Sequence, residues 1–151
     1  MYLYLIVFLA SFILTYLVKE IAKRKALIDI PNDRSSHTHP TPRGGGIAIA
    51  IVWFASISYM FYENIIDKNL YFALMCGLLV SGISLADDVL NLKALPRIFV
   101  QAIATILALY FIGGLKRVDI GVYIYENTIV LSIIAFLGIL WFINLFNFID
   151  G

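Results

Sequence analysis

Charge is what this sequence has least of. Only 14% of its 151 residues are Asp, Glu, Lys or Arg, against about a quarter in a soluble domain. With 62% hydrophobic residues and a mean hydropathy of +0.92, an ordinary soluble domain is excluded and a membrane protein is indicated. A formal net charge of +1 gives no footprint for nucleic acid. Cys76 is the only cysteine, so no internal disulfide is available. Standing in an apolar run, it reads as a small buried hydrophobe. The pattern of a cleaved leader is missing too. Met1–Val18 has no basic start and no A-x-A-like site, and its lysines follow the apolar run, so it reads as a retained first membrane helix. Neither an internal repeat nor a low-complexity tract is present.

What is there is a set of long apolar runs. Crossing the hydrocarbon core takes about 20 apolar residues, with about 17 as the practical minimum. Five stretches meet this: residues 2–18, 45–62, 70–86, 98–114 and 129–146. None has an ionisable residue near its middle, and the expected fold is an all-α polytopic membrane bundle of five transmembrane helices. Lys19, Lys23, Arg24, Lys25, Arg34, Arg43, Lys93 and Arg97 fall in the first and third connections (19–44 and 87–97), eight in all. The second and fourth hold three, Lys68, Lys116 and Arg117. The positive-inside rule then places loops 19–44 and 87–97 in the cytoplasm, the N-terminus outside, and the end of the fifth helix inside.

Three polar segments share that cytoplasmic face. The first, "DIPNDRSSHTHPTPRGGG" (Asp29–Gly46), is a loop by its Pro, Gly and Ser content. It carries Arg34, His37, His39 and Arg43 and reaches Gly44 and Gly45 where the second helix starts. Helix N-termini with glycines accept phosphate closely, and the same residues equally serve as a hinge in a positive-inside loop. The histidines lack the further ligands of a zinc site. The second segment, "SLADDVLNLKALPR" (Ser84–Arg97), sets Asp87 and Asp88 at a helix C-terminus, where the dipole disfavours anions by about 0.3–1 kcal/mol each. A solvated helix end beside Lys93 and Arg97 is one reading. A site for a hard divalent cation, held by carboxylates and substrate phosphates, is the other. Pro96 suits the first turn of the next helix, and Arg97 and Gln101 follow one turn apart. In the third segment, "NLFNFIDG", Asn144, Asn147 and Asp150 are spaced three apart and form a polar stripe. Such groups are costly in a membrane unless they face helices or a polar cleft. Carboxylates, arginines and helix N-termini on one face are the requirements of phosphoryl transfer.

These residues resemble the polyprenyl-phosphate N-acetylhexosamine-1-phosphate transferases. The resemblance is carried by D-x-P-N-x-R-x-x-H at Asp29–His37 leading into "PTPRGGG", by Asp87–Asp88, and by N-x-x-N-x-x-D-G at Asn144–Gly151. The "PTPRGGG" loop looks more like the branch priming O-antigen, enterobacterial common antigen or teichoic acid than the peptidoglycan branch. The resemblance implies attack of a polyprenyl (undecaprenyl) phosphate oxygen on the β-phosphorus of a UDP-N-acetylhexosamine such as UDP-N-acetylglucosamine. UMP leaves, and Mg²⁺ is required, with Mn²⁺ as the alternative ion. It implies that Asp87 and Asp88 stand at the reaction centre as metal ligands or as base, with Asp150 as a further catalytic carboxylate. Asn144 and Asn147 would line the nucleotide-sugar side, and Arg34, His37, Arg43, Gly44 and Gly45 would contact phosphate. Partners would be the lipid phosphate, the nucleotide sugar and the membrane, with a homodimer open and no nucleic acid. The location implied is the bacterial cytoplasmic membrane. Family members continue through about as many helices again, so this chain is expected to be the N-terminal part of a longer enzyme and inactive alone. A polytopic transporter, which would place ionisable residues at mid-membrane, and a non-catalytic scaffold are the rival readings.

Overall fold

The computed structural model describes residues 2–24, 28–29, 41–42 and 45–150, with side chains over 5–23 and 46–148. Six helices run through the described residues: α1 Tyr2–Arg24, α2 Gly45–Tyr62, α3 Lys68–Met75, α4 Gly77–Leu90, α5 Ala94–Ile112 and α6 Thr128–Asp150. Two small antiparallel ladders accompany them. β1 (Ile28–Asp29) pairs with β2 (Thr41–Pro42), and β3 (Val118–Asp119) pairs with β4 (Ile124–Tyr125). The chain is an all-α membrane bundle. Leu5–Lys23, Lys68–Leu90, Ala94–Ile112 and Thr128–Phe148 are long and apolar enough to cross a membrane. At 18 residues α2 is shorter, about 27 Å at 1.5 Å per residue against a core of about 30 Å.

Local chemistry sets the ends of these helices. α1 runs six residues past the expected Val18 to Arg24, and its exposed last turns are tied by the Glu20–Lys23 ion pair at 3.3 Å. The third apolar run is a helix interrupted at Cys76, whose N–H reaches the carbonyls of Phe72 (3.2 Å) and Ala73 (3.3 Å). Its start is capped by Asp67, whose Oδ1 accepts from the N–H groups of Asn69 (2.8 Å) and Leu70 (3.1 Å). α5 begins at Ala94, four residues before the apolar run. Pro96 therefore lies in its first turn, where a missing N–H costs nothing. At its far end Gly113 and Gly114 take φ of 76° and 75°, and their N–H groups close on Tyr110 and Leu109. Asn127 starts α6 by accepting from Val130 N–H at 3.1 Å.

α5 is the central helix, packed against α3, α4 and α6, while α1 lies on α2 and α2 on α3. Small residues make the close approaches: Ala48 is 0% exposed and Ala104 2%. Large apolar side chains such as Phe12 and Trp141 instead point outward, as expected where lipid rather than water surrounds the bundle. Neighbouring helices run antiparallel. Phe61 of α2 stacks on Tyr71 of α3 at 4.3 Å, and Phe54 packs on Gly77, where an added Cβ would lie 3.4 Å from its ring. Nine residues before Phe54 is Gly45, and ten after Gly77 is Asp87. At 1.5 Å per residue both lie about 14–15 Å further along, at the same end of the bundle. On the other side, Phe72 of α3 stacks on Phe111 at the end of α5 at 5.4 Å. Leu115 N–H, just beyond α5, donates to Ser132 Oγ near the start of α6 at 3.0 Å. The N-termini of α2 and α5 and the C-termini of α4 and α6 thus share one end.

Candidate functional site

α4 does not stop before the aspartates but runs through them to Leu90. Adjacent helical positions diverge by about 100°, so Asp87 and Asp88 do not share a face. Asp87 is half-buried and Asp88 exposed. Asp87 turns toward α5 and organises the connection there. Its Oδ2 accepts from Arg97 Nη1, its Oδ1 accepts from Leu92 N–H at 2.8 Å, and its main-chain carbonyl accepts from Asn91 N–H at 2.8 Å. Asn91 takes the left-handed conformation (φ 49°, ψ 61°) that ends α4. One carboxylate therefore holds the α4–α5 turn closed and is neutralised by the first-turn arginine of the next helix.

One turn beyond Arg97 lies Gln101, 0% exposed and the largest fully buried side chain among the described residues. Its Oε1 accepts from Asn144 Nδ2 at 2.8 Å, across from α5 to α6. The same Asn144 nitrogen donates to the carbonyl of Leu140 at 2.8 Å. Thr105, also buried, returns its hydroxyl to the Gln101 carbonyl at 2.8 Å. The polar residues of α5 thus link Asp87 on one neighbour to Asn144 on the other.

The remaining predicted residues fall as follows. α6 is helical through Asp150, so Asn144, Asn147 and Asp150 occupy successive turns, with Asn147 exposed. The Asp150 side chain lies outside the described residues. Gly45 opens α2, while Arg34, His37, Arg43 and Gly44 lie outside the described residues. Asp87, Asp88, Arg97, Gln101, Asn144 and Gly45 accordingly belong to one end of the bundle. Among the described residues no three of His, Cys, Asp or Glu group closely enough to hold a metal ion. Two carboxylates nevertheless suit a hard cation completed by substrate phosphates. Asp87 keeps acceptor capacity beyond its two side-chain bonds, since a carboxylate offers about four lone-pair sites. The residue given no role by the sequence was Gln101. Its signal was an uncharged polar side chain inside an apolar run, one turn after an arginine.

Residues 70–151 match glycosyl transferase family 4. The chain is 28% identical over 152 residues to the undecaprenyl-phosphate alpha-N-acetylglucosaminyl 1-phosphate transferase of Yersinia pestis, covering 96% of this chain and 40% of that protein. It is 29% identical over 161 residues to the decaprenyl-phosphate N-acetylglucosaminephosphotransferase of Mycobacterium leprae, covering 95% of this chain and 39% of that protein. The undecaprenyl-phosphate alpha-N-acetylglucosaminyl 1-phosphate transferase of Escherichia coli O157:H7 is 29% identical over 154 residues, with 96% and 40% covered. The chain thus spans about two fifths of the length of these relatives. No solved structure matches it. With more than half its length, and the Asp87–Asn144 end of the bundle, inside the matched region, the chain belongs to glycosyl transferase family 4.

Proposed function

We propose that the protein carrying this chain transfers N-acetylhexosamine-1-phosphate from a UDP-sugar to polyprenyl phosphate in the bacterial cytoplasmic membrane. The observation that carries the reading is the polar line Asp87–Arg97–Gln101–Asn144, set at one end of an otherwise apolar bundle in a chain whose relatives are named for this transfer. In the reaction an oxygen of the lipid phosphate bonds to the β-phosphorus of the nucleotide sugar. The bond from that phosphorus to the bridging oxygen breaks, and UMP departs with the electron pair. No redox change occurs.

In this reading α2 also crosses the membrane, making five spans, the N-terminus is outside, and the end bearing Asp87 faces the cytoplasm, as the lysine and arginine distribution favours. Asp87 and Asp88 are the carboxylates for Mg²⁺, or for Mn²⁺ in its place, and a bound ion would neutralise charge developing on the phosphates. Arg97 holds Asp87 in place and offsets its charge. Asn144, Asn147 and Asp150 lie on the nucleotide-sugar side. Arg34, His37, Arg43, Gly44 and Gly45 approach phosphate, the last at the N-terminus of α2. Membranes from cells expressing the protein should incorporate labelled UDP-N-acetylglucosamine into lipid only with a divalent cation. Asp87→Asn combined with Asp88→Asn should abolish labelling, and undiminished labelling in that double variant would overturn the reading.

A further inference from the structure

Gln101 is fully enclosed, and the transfer chemistry leaves it without a task. The Leu140 carbonyl is an acceptor only, so the Asn144 atom beside it must be the amide nitrogen. That nitrogen also faces Gln101, so both of its hydrogens are used and the Gln101 atom it meets must be the oxygen. Two consequences follow. Asn144 is left with only its carbonyl oxygen to offer a ligand. Gln101 Nε2 is left buried with no hydrogen-bond partner among the described residues. An apolar side chain of the same length would remove that orphaned donor but would also take the acceptor from one Asn144 N–H, so the glutamine is kept for what it does to Asn144.

We infer that Gln101 is a positioning residue that, together with the Leu140 carbonyl, holds Asn144 as a hydrogen-bond acceptor toward a ligand, so that Asn144 recognises a hydroxyl or N–H group of the nucleotide sugar and not a phosphate oxygen. The inference rests on the proposed function for the nature of that ligand. The orientation of Asn144 rests on the hydrogen bonds alone. Gln101→Met removes the acceptor and the orphaned donor together. Gln101→Glu keeps an acceptor for Asn144.

The experiment uses the whole protein in its membrane. Gln101→Met should raise the KM for UDP-N-acetylglucosamine about tenfold, the worth of one well-placed hydrogen bond. It should leave the KM for polyprenyl phosphate unchanged, with at most a small fall in Tm from the Asn144 N–H that loses its acceptor. Gln101→Glu should restore the nucleotide-sugar KM to within a few-fold of the parent. An unchanged nucleotide-sugar KM in Gln101→Met would overturn the inference. So would a fall in Tm accompanied by equal effects on both substrates, which marks a purely structural contact. If the parent shows no transfer, the functional reading fails instead. The orientation is then read from amide NMR of the same protein in detergent. Two exchange-protected Asn144 side-chain protons, with the one facing position 101 losing protection in Gln101→Met, support it, and a rapidly exchanging pair in the parent refutes it.

Discussion

Replacing Arg97 by methionine removes the guanidinium that accompanies Asp87 while keeping an apolar stem against α4. The two side chains are 29% and 22% exposed, so the pair sits between two regimes. A fully exposed ion pair is worth about 0–1 kcal/mol, and stripping one partner from a buried pair costs about 3–5 kcal/mol. Partial screening and the surviving bond from Leu92 N–H bring the expected cost to about 2 kcal/mol, within the range for a charge-assisted hydrogen bond. At roughly 2–4 °C per kcal/mol for a chain of this size, Tm in detergent should fall by about 4–8 °C. The sharper measurement is a double-mutant cycle with Asp87→Asn, which keeps the shape and the Leu92 contact but removes the charge. A coupling of about 1–2 kcal/mol is expected, since either single variant already breaks the ion pair. A coupling within about 0.5 kcal/mol of zero, the scatter of independent sites, would show that the pair does not hold the α4–α5 turn.

Two further substitutions test the supports of the bundle. Gly114→Ala places a Cβ 2.6 Å from Ser132 Oγ at a residue with φ +75°, so it should cost about 1–3 kcal/mol and lower the denaturant midpoint. Equal stability would mean that the α5–α6 connection is not built on that contact. Asp67→Ala removes the N-cap that accepts from Asn69 and Leu70 and should cost about 1 kcal/mol. The loss should be visible first as faster hydrogen exchange over the first turn of α3.

Much of the helical framework was legible because hydropathy is a local property. The run from Gly45 to Tyr62 is α2 residue for residue, and Pro96 marked the first turn of α5. The boundaries that slipped did so where polar residues stay helical beyond the hydrocarbon. α1 continues to Arg24 on the strength of its own ion pair, and α4 carries the Asp pair within its last turn. The Asp-Asp dipeptide reads as one feature in the sequence but divides on a helix, because consecutive side chains point about 100° apart.

By itself, then, the sequence determined that the chain is a membrane protein, where most of its helices fall, and that its polar motifs are confined to short segments at the ends of apolar runs. Each of these depends on composition and short-range spacing. Only the tertiary structure decided that Arg97 is the partner of Asp87 and that Gln101 meets Asn144, 43 residues away. Which polar faces meet depends on how each helix rotates about its axis against its neighbours. That rotation is set by the small buried residues of α2 and α5 and by the need of every polar group in hydrocarbon to find a partner.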